Sequence, residues 1–190
     1  MTSAEELPLA PAEIALLVPS LSTRAQLLEI EQASIHAARL WAMRPRNLKG
    51  GDIFTEDFLR ELHRRMFSGI WRGAGRYRKS VADTGWEPGR IAEGVRLFLD
   101  DADGWARYST YPIHECAVRL HHRLVSVRPW SNGNGRHARL VADVAVAAQG
   151  EAPLTWGSRT SGGSARSRYA AANSAADGGD LGPLLDFARS

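Results

Sequence analysis

The sequence contains little cysteine, little lysine and no long hydrophobic run, and each shortage excludes a class of protein. Cys116 is the single cysteine, so a disulfide framework and a multi-cysteine zinc site are both excluded. No apolar run approaches the roughly 20 residues that a membrane-spanning helix needs. Residues 1–6 are polar and acidic, unlike a secretory signal peptide. We therefore expect a cytoplasmic protein that does not enter a membrane.

The chain does contain enough apolar residues for a core, together with a large share of arginine. Hydrophobic residues make up 44% of its 190 residues, which suits one packed domain or one domain with a small appendage. Only two of its 24 basic residues, Lys49 and Lys79, are lysines, and the formal net charge is +3. Because acidic residues are interspersed with the arginines, nucleic acid is not expected as a partner. A solvated surface with a few phosphate-directed arginines is the better interpretation.

Apolar residues at helical spacing, together with capping residues, predict a mainly α-helical domain. Ser22 or Thr23 can cap the first long helix, and Thr55 can cap the second. The sequence does not show the alternation of strands and helices that would indicate a parallel sheet. The predicted helices cover residues 22–43, 55–69, 88–105, 110–127, 136–149, 166–176 and 181–188.

The segments around these helices differ in composition. Residues 1–21 contain several prolines, which predicts a loosely structured lead-in before a domain at residues 22–190. Residues 70–87 mix glycine with aromatic residues, which favours a short β-hairpin or an ordered loop. The Gly/Ser-rich residues 157–164 predict a surface loop.

The most informative feature of the sequence is a turn of small residues at positions 132–135, Asn-Gly-Asn-Gly, directly before a predicted helix. Arg136 and Arg139 follow three positions apart, so they lie on one face of that helix. The backbone N–H groups of such a turn, the helix dipole and the two guanidinium groups all attract an anion. The sequence therefore predicts a phosphate-binding nest.

Residues 128–139, here called the signature segment, resemble the signature of Fic-domain proteins, His-Pro-Phe-x-(Asp or Glu)-Gly-Asn-Gly-Arg-x-x-Arg. Residues 71–78 resemble the start of that family's flap, a hairpin over the active site, and we call residues 70–87 the flap. Residues 20–190 resemble more closely one Fic subgroup, called mobile mystery protein B. The matching signature positions are Pro129, Gly133, Asn134, Gly135, Arg136 and Arg139.

The resemblance implies a small helical bundle that holds the signature segment between two core helices. It also implies an activity, the transfer of AMP from ATP, with Mg²⁺, to a hydroxyl group of a target protein, although some members transfer other phosphate-containing groups. The expected partner is a target protein of unknown identity. An inhibitory partner protein, as toxin-like members would need, is also expected unless the site is already disabled. Glu29 and Glu31 lie in the region of the family's inhibitory helix, but their spacing does not match its motif.

Arg128 stands where the family has its signature histidine, the general base of the reaction. Arginine stays protonated and has no acceptor lone pair, so it cannot take a proton from a hydroxyl group. Losing a general base costs on the order of a hundredfold to ten-thousandfold in rate. The resemblance therefore implies an impaired adenylyltransferase, or alternatively an inactive Fic-fold module that binds a nucleotide, a phosphate or a partner. Arg128 itself can bind phosphate, or pair with an acid and close the site.

Asn132 is the second departure, because most of the family has a Mg²⁺-binding carboxylate at this position. An amide oxygen is a weaker ligand for a hard cation, so Asn132 is a weak candidate for metal binding. Gly133 and Gly135 allow positive φ and a close approach of the phosphate, and Asn134 can adopt the left-handed conformation and orient the anion.

The arginines of the signature segment complete the candidate site. Arg136 and Arg139 resemble the family's phosphate-binding and site-organising arginines, and for each a structural salt bridge is the alternative. With Arg128 they form the catalytic positions, and residues 132–136 together with Arg139 form the nucleotide-binding ones.

Other polar residues are weaker candidates. His121 and His122 are adjacent on a helix and are expected to be packing or surface residues, not metal ligands. His137 is expected at the surface, with nucleotide contact as the alternative. In the flap, Tyr77 and Arg78 are candidates for contact with a target or a base. The single cysteine and Trp130 are expected in the core.

Overall fold

Nine α-helices and no strand form in the residues that the computed structural model describes, namely residues 9, 11–49, 52–82, 84–158 and 164–190. Most of the predicted surface loop, residues 159–163, and most of residues 1–10 lie outside this range. Two short 3₁₀ helices, Asp52–Phe54 and Pro88–Arg90, join the longer elements. The α-helices are α1 (Pro11–Leu16), α2 (Arg24–Ala42), α3 (Pro45–Lys49), α4 (Glu56–Phe67), α5 (Ile91–Tyr108), α6 (Ile113–Val127), α7 (Asn134–Ala148), α8 (Ser164–Asp177) and α9 (Gly182–Arg189).

The mainly α-helical prediction is confirmed, and the predicted caps fix the helix starts. Thr23 precedes α2, and its hydroxyl accepts a hydrogen bond from the backbone N–H of Gln26 at 3.4 Å. The Gln26 side chain reaches back to the N–H of Thr23 at 3.3 Å, which completes a capping box. Thr55 caps α4 by accepting from the N–H of Phe58 at 3.2 Å.

Helices α6 and α7 form the centre of the molecule. They pack against each other and contribute to two hydrophobic clusters. The larger cluster lies between them and α2, α4 and α5, where Leu59, Leu124 and Val144 are fully buried. The smaller cluster lies on the opposite side, against α8 and α9, and contains Val118 and Leu184. Each such side chain contributes about 1.5–3 kcal/mol to the free energy of unfolding when it is buried. The helices on both sides of the α6–α7 connection are therefore anchored in the core.

The lead-in is more ordered than the sequence pattern predicted, at least in its second half. Helix α1 occupies part of it, and Leu17 is buried in the larger cluster. The N–H of Val18 donates to the carbonyl of Ile70 at 2.9 Å, and the N–H of Arg72 donates to the carbonyl of Leu16 at 2.7 Å. These bonds attach the lead-in to the start of the flap, which the local composition did not indicate.

The flap forms turns and no strand in its described residues, 70–82 and 84–87, so the predicted β-hairpin is not confirmed. Ala74 and Arg76 donate within the flap, to the carbonyls of Trp71 (3.3 Å) and Gly73 (2.9 Å), but two other backbone donors bond to the end of α6 and the residues after it. The N–H of Arg78 donates to the carbonyl of Pro129 at 2.9 Å, and the N–H of Trp86 donates to the carbonyl of Val127 at 3.2 Å. Because these donors are used on another segment, the two arms of the flap do not pair as a ladder.

None of the helices in the described part of the chain combines the length and the apolar character that crossing a membrane requires.

Candidate functional site

The α6–α7 connection contains two residues with left-handed backbone conformation, and these bring the signature segment to the N-terminus of α7. Arg128 ends α6 with φ of 49°, and its N–H donates to the carbonyl of Leu124 at 3.1 Å. Gly133 precedes α7 with φ of 77°. A Cβ atom on Gly133 would lie 2.4 Å from the Phe67 ring. Only glycine therefore satisfies both the backbone conformation and the space at position 133.

Trp130 anchors the signature segment in the core, as predicted, with an exposed fraction of 1%. Two imidazoles hold its indole. His63 stacks on the ring with centroids 4.3 Å apart, and His137 meets it edge-on and accepts a hydrogen bond from the indole Nε1 at 3.2 Å. The other ring nitrogen of His137 lies 3.0 Å from the carbonyl oxygen of Leu59. His137 is thus fully buried, and its predicted surface position is wrong, as is the alternative of nucleotide contact.

His63 connects the flap to the signature segment. Its Nδ1 accepts a hydrogen bond from the N–H of Gly75 at 2.9 Å, so its Nε2 carries the proton and donates to the carbonyl of Asn132 at 3.1 Å. Burial lowers the pKa of His63 to about 4 and lowers the pKa of His137 well below its usual value. Both imidazoles are therefore neutral supports of the site at physiological pH.

Asn134 closes the turn with its side chain. Its Nδ2 donates to the carbonyl of Trp130 at 2.8 Å, and its Oδ1 accepts from the N–H of Trp130 at 3.0 Å. Asn134 is the first residue of α7 and does not use the left-handed conformation that its side chain would allow. Gly135 also has helical backbone and does not use positive φ, and a Cβ atom added to it would contact the Tyr169 hydroxyl at 3.6 Å and Nη1 of Arg139 at 3.9 Å.

A cavity of about 510 Å³ lies at the N-terminus of α7. All seven predicted site residues line it, so the structure brings together the whole set that the sequence analysis proposed. The first N–H groups of a helix have no partner within that helix, and they add to the positive potential of the helix dipole here. We call this cavity the pocket; its lining residues are Val125, Arg128, Ser131, Asn132, Gly133, Asn134, Gly135, Arg136, Arg139, Arg166 and Tyr169.

The charge of the described pocket lining is entirely positive, because four arginines and no carboxylate contribute to it. Arg139 lies with its guanidinium 5.4 Å from the centre of the Tyr169 ring. Neither Arg139 nor the exposed Arg166 takes part in any ion pair within the described residues. Their charges are therefore available to an anion in the pocket.

Arg136 is the exception among the four arginines, since it forms the structural salt bridge that was the alternative prediction. Its Nη1 bonds to the Glu31 carboxylate, and its Nη2 donates to Oδ1 of Asn132 at 3.1 Å. Glu31 is 3% exposed and also accepts a hydrogen bond from the Trp71 indole at 2.6 Å. The pair connects α2 to α7, and it neutralises part of the charge that Arg136 would otherwise offer to a phosphate.

Arg128 extends toward the flap. Its Nη1 donates to the Thr84 hydroxyl at 2.7 Å, and the side chain is exposed. Among the described residues it pairs with no acid, so the predicted closure of the site by such a pair is not observed. Arg128 thus presents a fixed positive charge at the position where the signature has a proton acceptor.

Arg78 is buried and hydrogen-bonds to backbone carbonyls, which leaves it no exposed guanidinium for the contact with a target or base that the sequence made possible. Its guanidinium donates to the carbonyls of Arg128 (2.7 Å), Ser80 (2.8 Å) and Trp86. Tyr77 is half-buried, and its ring packs on Trp130. Both side chains therefore fix the flap to the signature segment.

His121 and His122 pack against neighbouring helices, in agreement with the predicted packing or surface positions. His121 is fully buried, and its Nε2 lies 3.0 Å from the Tyr169 hydroxyl. His122 lies 2.8 Å from a carboxylate oxygen of Asp177. Cys116 is buried as expected, and burial raises the pKa of its thiol.

Sequence reasoning missed four residues at the site: Glu31, His63, Arg166 and Tyr169. They belong to α2, α4 and α8, and packing alone brings them to the signature segment. The Glu31 carboxylate is 105 positions from Arg136 along the chain. No local motif marks such residues, and the sequence analysis considered Glu31 only as a possible inhibitory glutamate whose spacing does not match the family's motif.

The residues present do not fit Mg²⁺ well. Asn132 is the predicted ligand, but its Oδ1 already accepts a hydrogen bond from Arg136. A hard cation prefers carboxylate, carbonyl and water oxygens, and the described pocket lining offers no carboxylate. In addition, no group of three or more His, Cys, Asp or Glu residues that could hold a metal occurs in the described residues.

Comparison with known proteins agrees with this geometry. The profile of the Fic/DOC family matches residues 53–146, which include the flap and the signature segment. Protein adenylyltransferase fic-1 of Caenorhabditis elegans is 28% identical over 144 residues, which are 73% of this chain and 27% of that protein. This chain therefore spans only about a quarter of the length of that curated relative.

Solved Fic structures have the same fold. Fic-1 from C. elegans superposes with a TM-score of 0.70 at 24% identity, over 94% of this chain and 52% of that one. BepC, a VirB-translocated effector from Bartonella tribocorum with bound AMPPNP, superposes with a TM-score of 0.65 at 17% identity, over 87% of this chain and 86% of that one. The matching profile, the shared helical fold and the signature segment at the N-terminus of α7 show together that this chain belongs to the Fic/DOC family.

Proposed function

We propose that the pocket binds ATP and that the chain transfers AMP to a hydroxyl group of a target protein only weakly. The observation that carries the proposal is the pocket itself, in which the N-terminus of α7 and four arginines converge and no described lining residue is acidic. A helix N-terminus with guanidinium groups is a strong site for phosphate. The relative named a protein adenylyltransferase and the BepC structure with bound AMPPNP support this choice of ligand.

The proposed weakness of transfer follows from the lack of a proton acceptor. In the transfer, the hydroxyl oxygen attacks the α-phosphorus, the bond to the β-phosphate oxygen breaks, pyrophosphate leaves, and the hydroxyl proton needs a base. Arg128 cannot accept that proton. The nearby imidazoles of His63 and His137 use both ring nitrogens inside the protein. The proton must therefore pass to water, which forfeits about a hundredfold to ten-thousandfold in rate.

A second candidate function is a binding module that holds a nucleotide or another phosphorylated ligand and performs no transfer. The contact between Arg128 and Thr84 favours it, because it gives the position of the base a fixed role in connecting α6 to the flap. In both functions the partner is a protein of unidentified nature, either as the target of transfer or as the protein that recognises the ligand-bound state. An inhibitory partner protein belongs to the first function only.

Intact-mass spectrometry of cell-lysate proteins after incubation with ATP and the purified chain tests the proposal. We expect little or no AMP addition by the wild type and clear addition by Arg128→His, because histidine restores a base with a pKa near neutrality. Arg128→Gln is the matched control, since it removes the same charge but supplies no base. ATP binding without any transfer by the histidine variant would support the binding module and contradict the transferase.

A further inference from the structure

The pocket differs from a metal-assisted nucleotide site in the charges that surround it. Resting on the proposed nucleotide pocket, we propose that this site selects the metal-free form of its triphosphate ligand and binds it in preference to the Mg²⁺ complex. Arginine side chains would then neutralise the triphosphate charge, which a divalent cation usually does.

The first argument is the lack of a place for the cation. In the described pocket lining, the only side-chain oxygens belong to Ser131, Asn132, Asn134 and Tyr169. Both polar atoms of the Asn134 amide are used on the backbone of Trp130, and the Asn132 oxygen accepts from Arg136. A hydroxyl oxygen from Ser131 or Tyr169 is neutral, so neither matches the carboxylates that Mg²⁺ prefers.

The second argument is electrostatic repulsion. Arg128, Arg139 and Arg166 line one small cavity, and no carboxylate pairs with any of them in the described residues. A divalent cation placed among three such charges is repelled, because charges a few ångströms apart interact strongly when partly shielded from water. The Glu31 carboxylate, which contacts the signature segment, is buried and bound to Arg136 and Trp71, so it does not offset this repulsion inside the pocket.

The third argument concerns the ligand. Complexation by Mg²⁺ lowers the negative charge of ATP and occupies the phosphate oxygens that guanidinium groups would contact. Arginine forks bind phosphate oxygens in pairs, so they compete with the metal for the same atoms. Binding to the protein and binding of the metal to ATP therefore oppose each other, and linkage makes that opposition reciprocal.

Isothermal titration of wild-type protein with ATP, in EDTA and in excess Mg²⁺, tests this inference. The two buffers are matched in ionic strength, since salt screens charge interactions. We expect ATP to bind at least threefold more tightly in EDTA than in Mg²⁺. A smaller difference, or tighter binding in Mg²⁺, would overturn the selectivity while leaving the nucleotide site intact. Failure to bind in both buffers would overturn the nucleotide site as well.

An independent readout follows the metal. Mn²⁺ free in solution gives a sharp electron paramagnetic resonance signal, which largely disappears when Mn²⁺ is bound to ATP. Adding the protein to Mn²⁺–ATP is expected to raise the free Mn²⁺ signal, because the protein takes up the nucleotide without its metal. A signal that stays constant or falls would contradict the inference.

Discussion

At the scale of single residues, the site depends on how each arginine of the pocket is partnered. Arg136 is committed to Glu31 and Asn132, Arg128 donates to the flap, and Arg139 and Arg166 keep their charges directed at the pocket without an ion pair in the described residues. The signature segment identifies Arg128, Arg136 and Arg139 as site residues. It does not identify Glu31, the partner of Arg136, or the fourth arginine, Arg166, because both come from helices distant in sequence. Residue identity therefore predicted the ligand class, whereas packing decided which guanidinium remains available.

Arg139→Gln is expected to weaken ATP binding by about tenfold to a hundredfold, because hydrogen bonds to charged groups contribute about 1.5–3 kcal/mol. Titration calorimetry measures the effect. Arg107→Gln is the matched control, since it removes an exposed arginine of α5 that pairs with Asp103 and does not line the pocket. Equal affinities for the two variants would show that Arg139 does not contact the anion.

Glu31→Gln is expected to strengthen ATP binding several-fold and to lower the melting temperature. The amide keeps an acceptor for the Trp71 indole but no longer neutralises Arg136, whose guanidinium then adds to the positive potential of the pocket. Removing one partner of a buried pair is costly, about 3–5 kcal/mol when both charges are buried, and less here because the Arg136 side chain is 31% exposed. Glu29→Gln, on the same helix, is the control for charge alone. An unchanged affinity would contradict the argument.

At the scale of elements, the helices were predictable from the sequence and the flap was not. Capping threonines and apolar spacing located every long helix to within a few residues, because these signals act within one or two turns. The flap had the glycine and aromatic composition of a hairpin. The backbone donors of Arg78 and Trp86, however, bond to Pro129 and Val127, about 40–50 positions away along the chain, and a local pattern carries no information about such partners.

Gly133→Ala is expected to destabilise the protein by about 2–5 kcal/mol, the sum of left-handed backbone strain and overpacking against the Phe67 ring. Urea unfolding followed by circular dichroism measures the change. Gly104→Ala in α5 is the matched control, because nothing lies within 4 Å of its added Cβ, and helix propensity predicts a gain of about 0.5–1 kcal/mol. A Gly133→Ala variant as stable as the wild type would refute the steric argument.

At the scale of the whole molecule, two hydrophobic clusters share α6 and α7, and three buried imidazoles support these helices. The domain boundary at residue 22 stays a prediction, as does membership of the mobile mystery protein B subgroup. The ordered residues 11–18 nevertheless pack on the flap. The polar supports of the core make the stability of the entire fold sensitive to acid.

The free energy of unfolding is expected to fall as pH drops from about 6.5 to 4. The folded-state pKa of His63 is lowered to about 4, so the unfolded chain binds more protons in that window and acid favours it. The contribution of His63 reaches about 3 kcal/mol at pH 4 and is absent above its unfolded pKa. His63→Gln, which can keep both hydrogen bonds, is expected to flatten the dependence. His36→Gln, which removes an exposed imidazole, serves as control, and identical pH profiles for the two variants would contradict the assignment.

The Arg78 guanidinium has a consequence for the order in which the chain can assemble. Its acceptors include the carbonyl of Arg128, 50 positions later in the sequence, and the backbone N–H of Arg78 donates to the carbonyl of Pro129. During synthesis, residues 70–87 leave the ribosome before the segment that carries these acceptors does. The flap therefore stays unfinished until α6 has formed and the chain has turned after it, so the flap and the signature segment reach their final structure in the same late event.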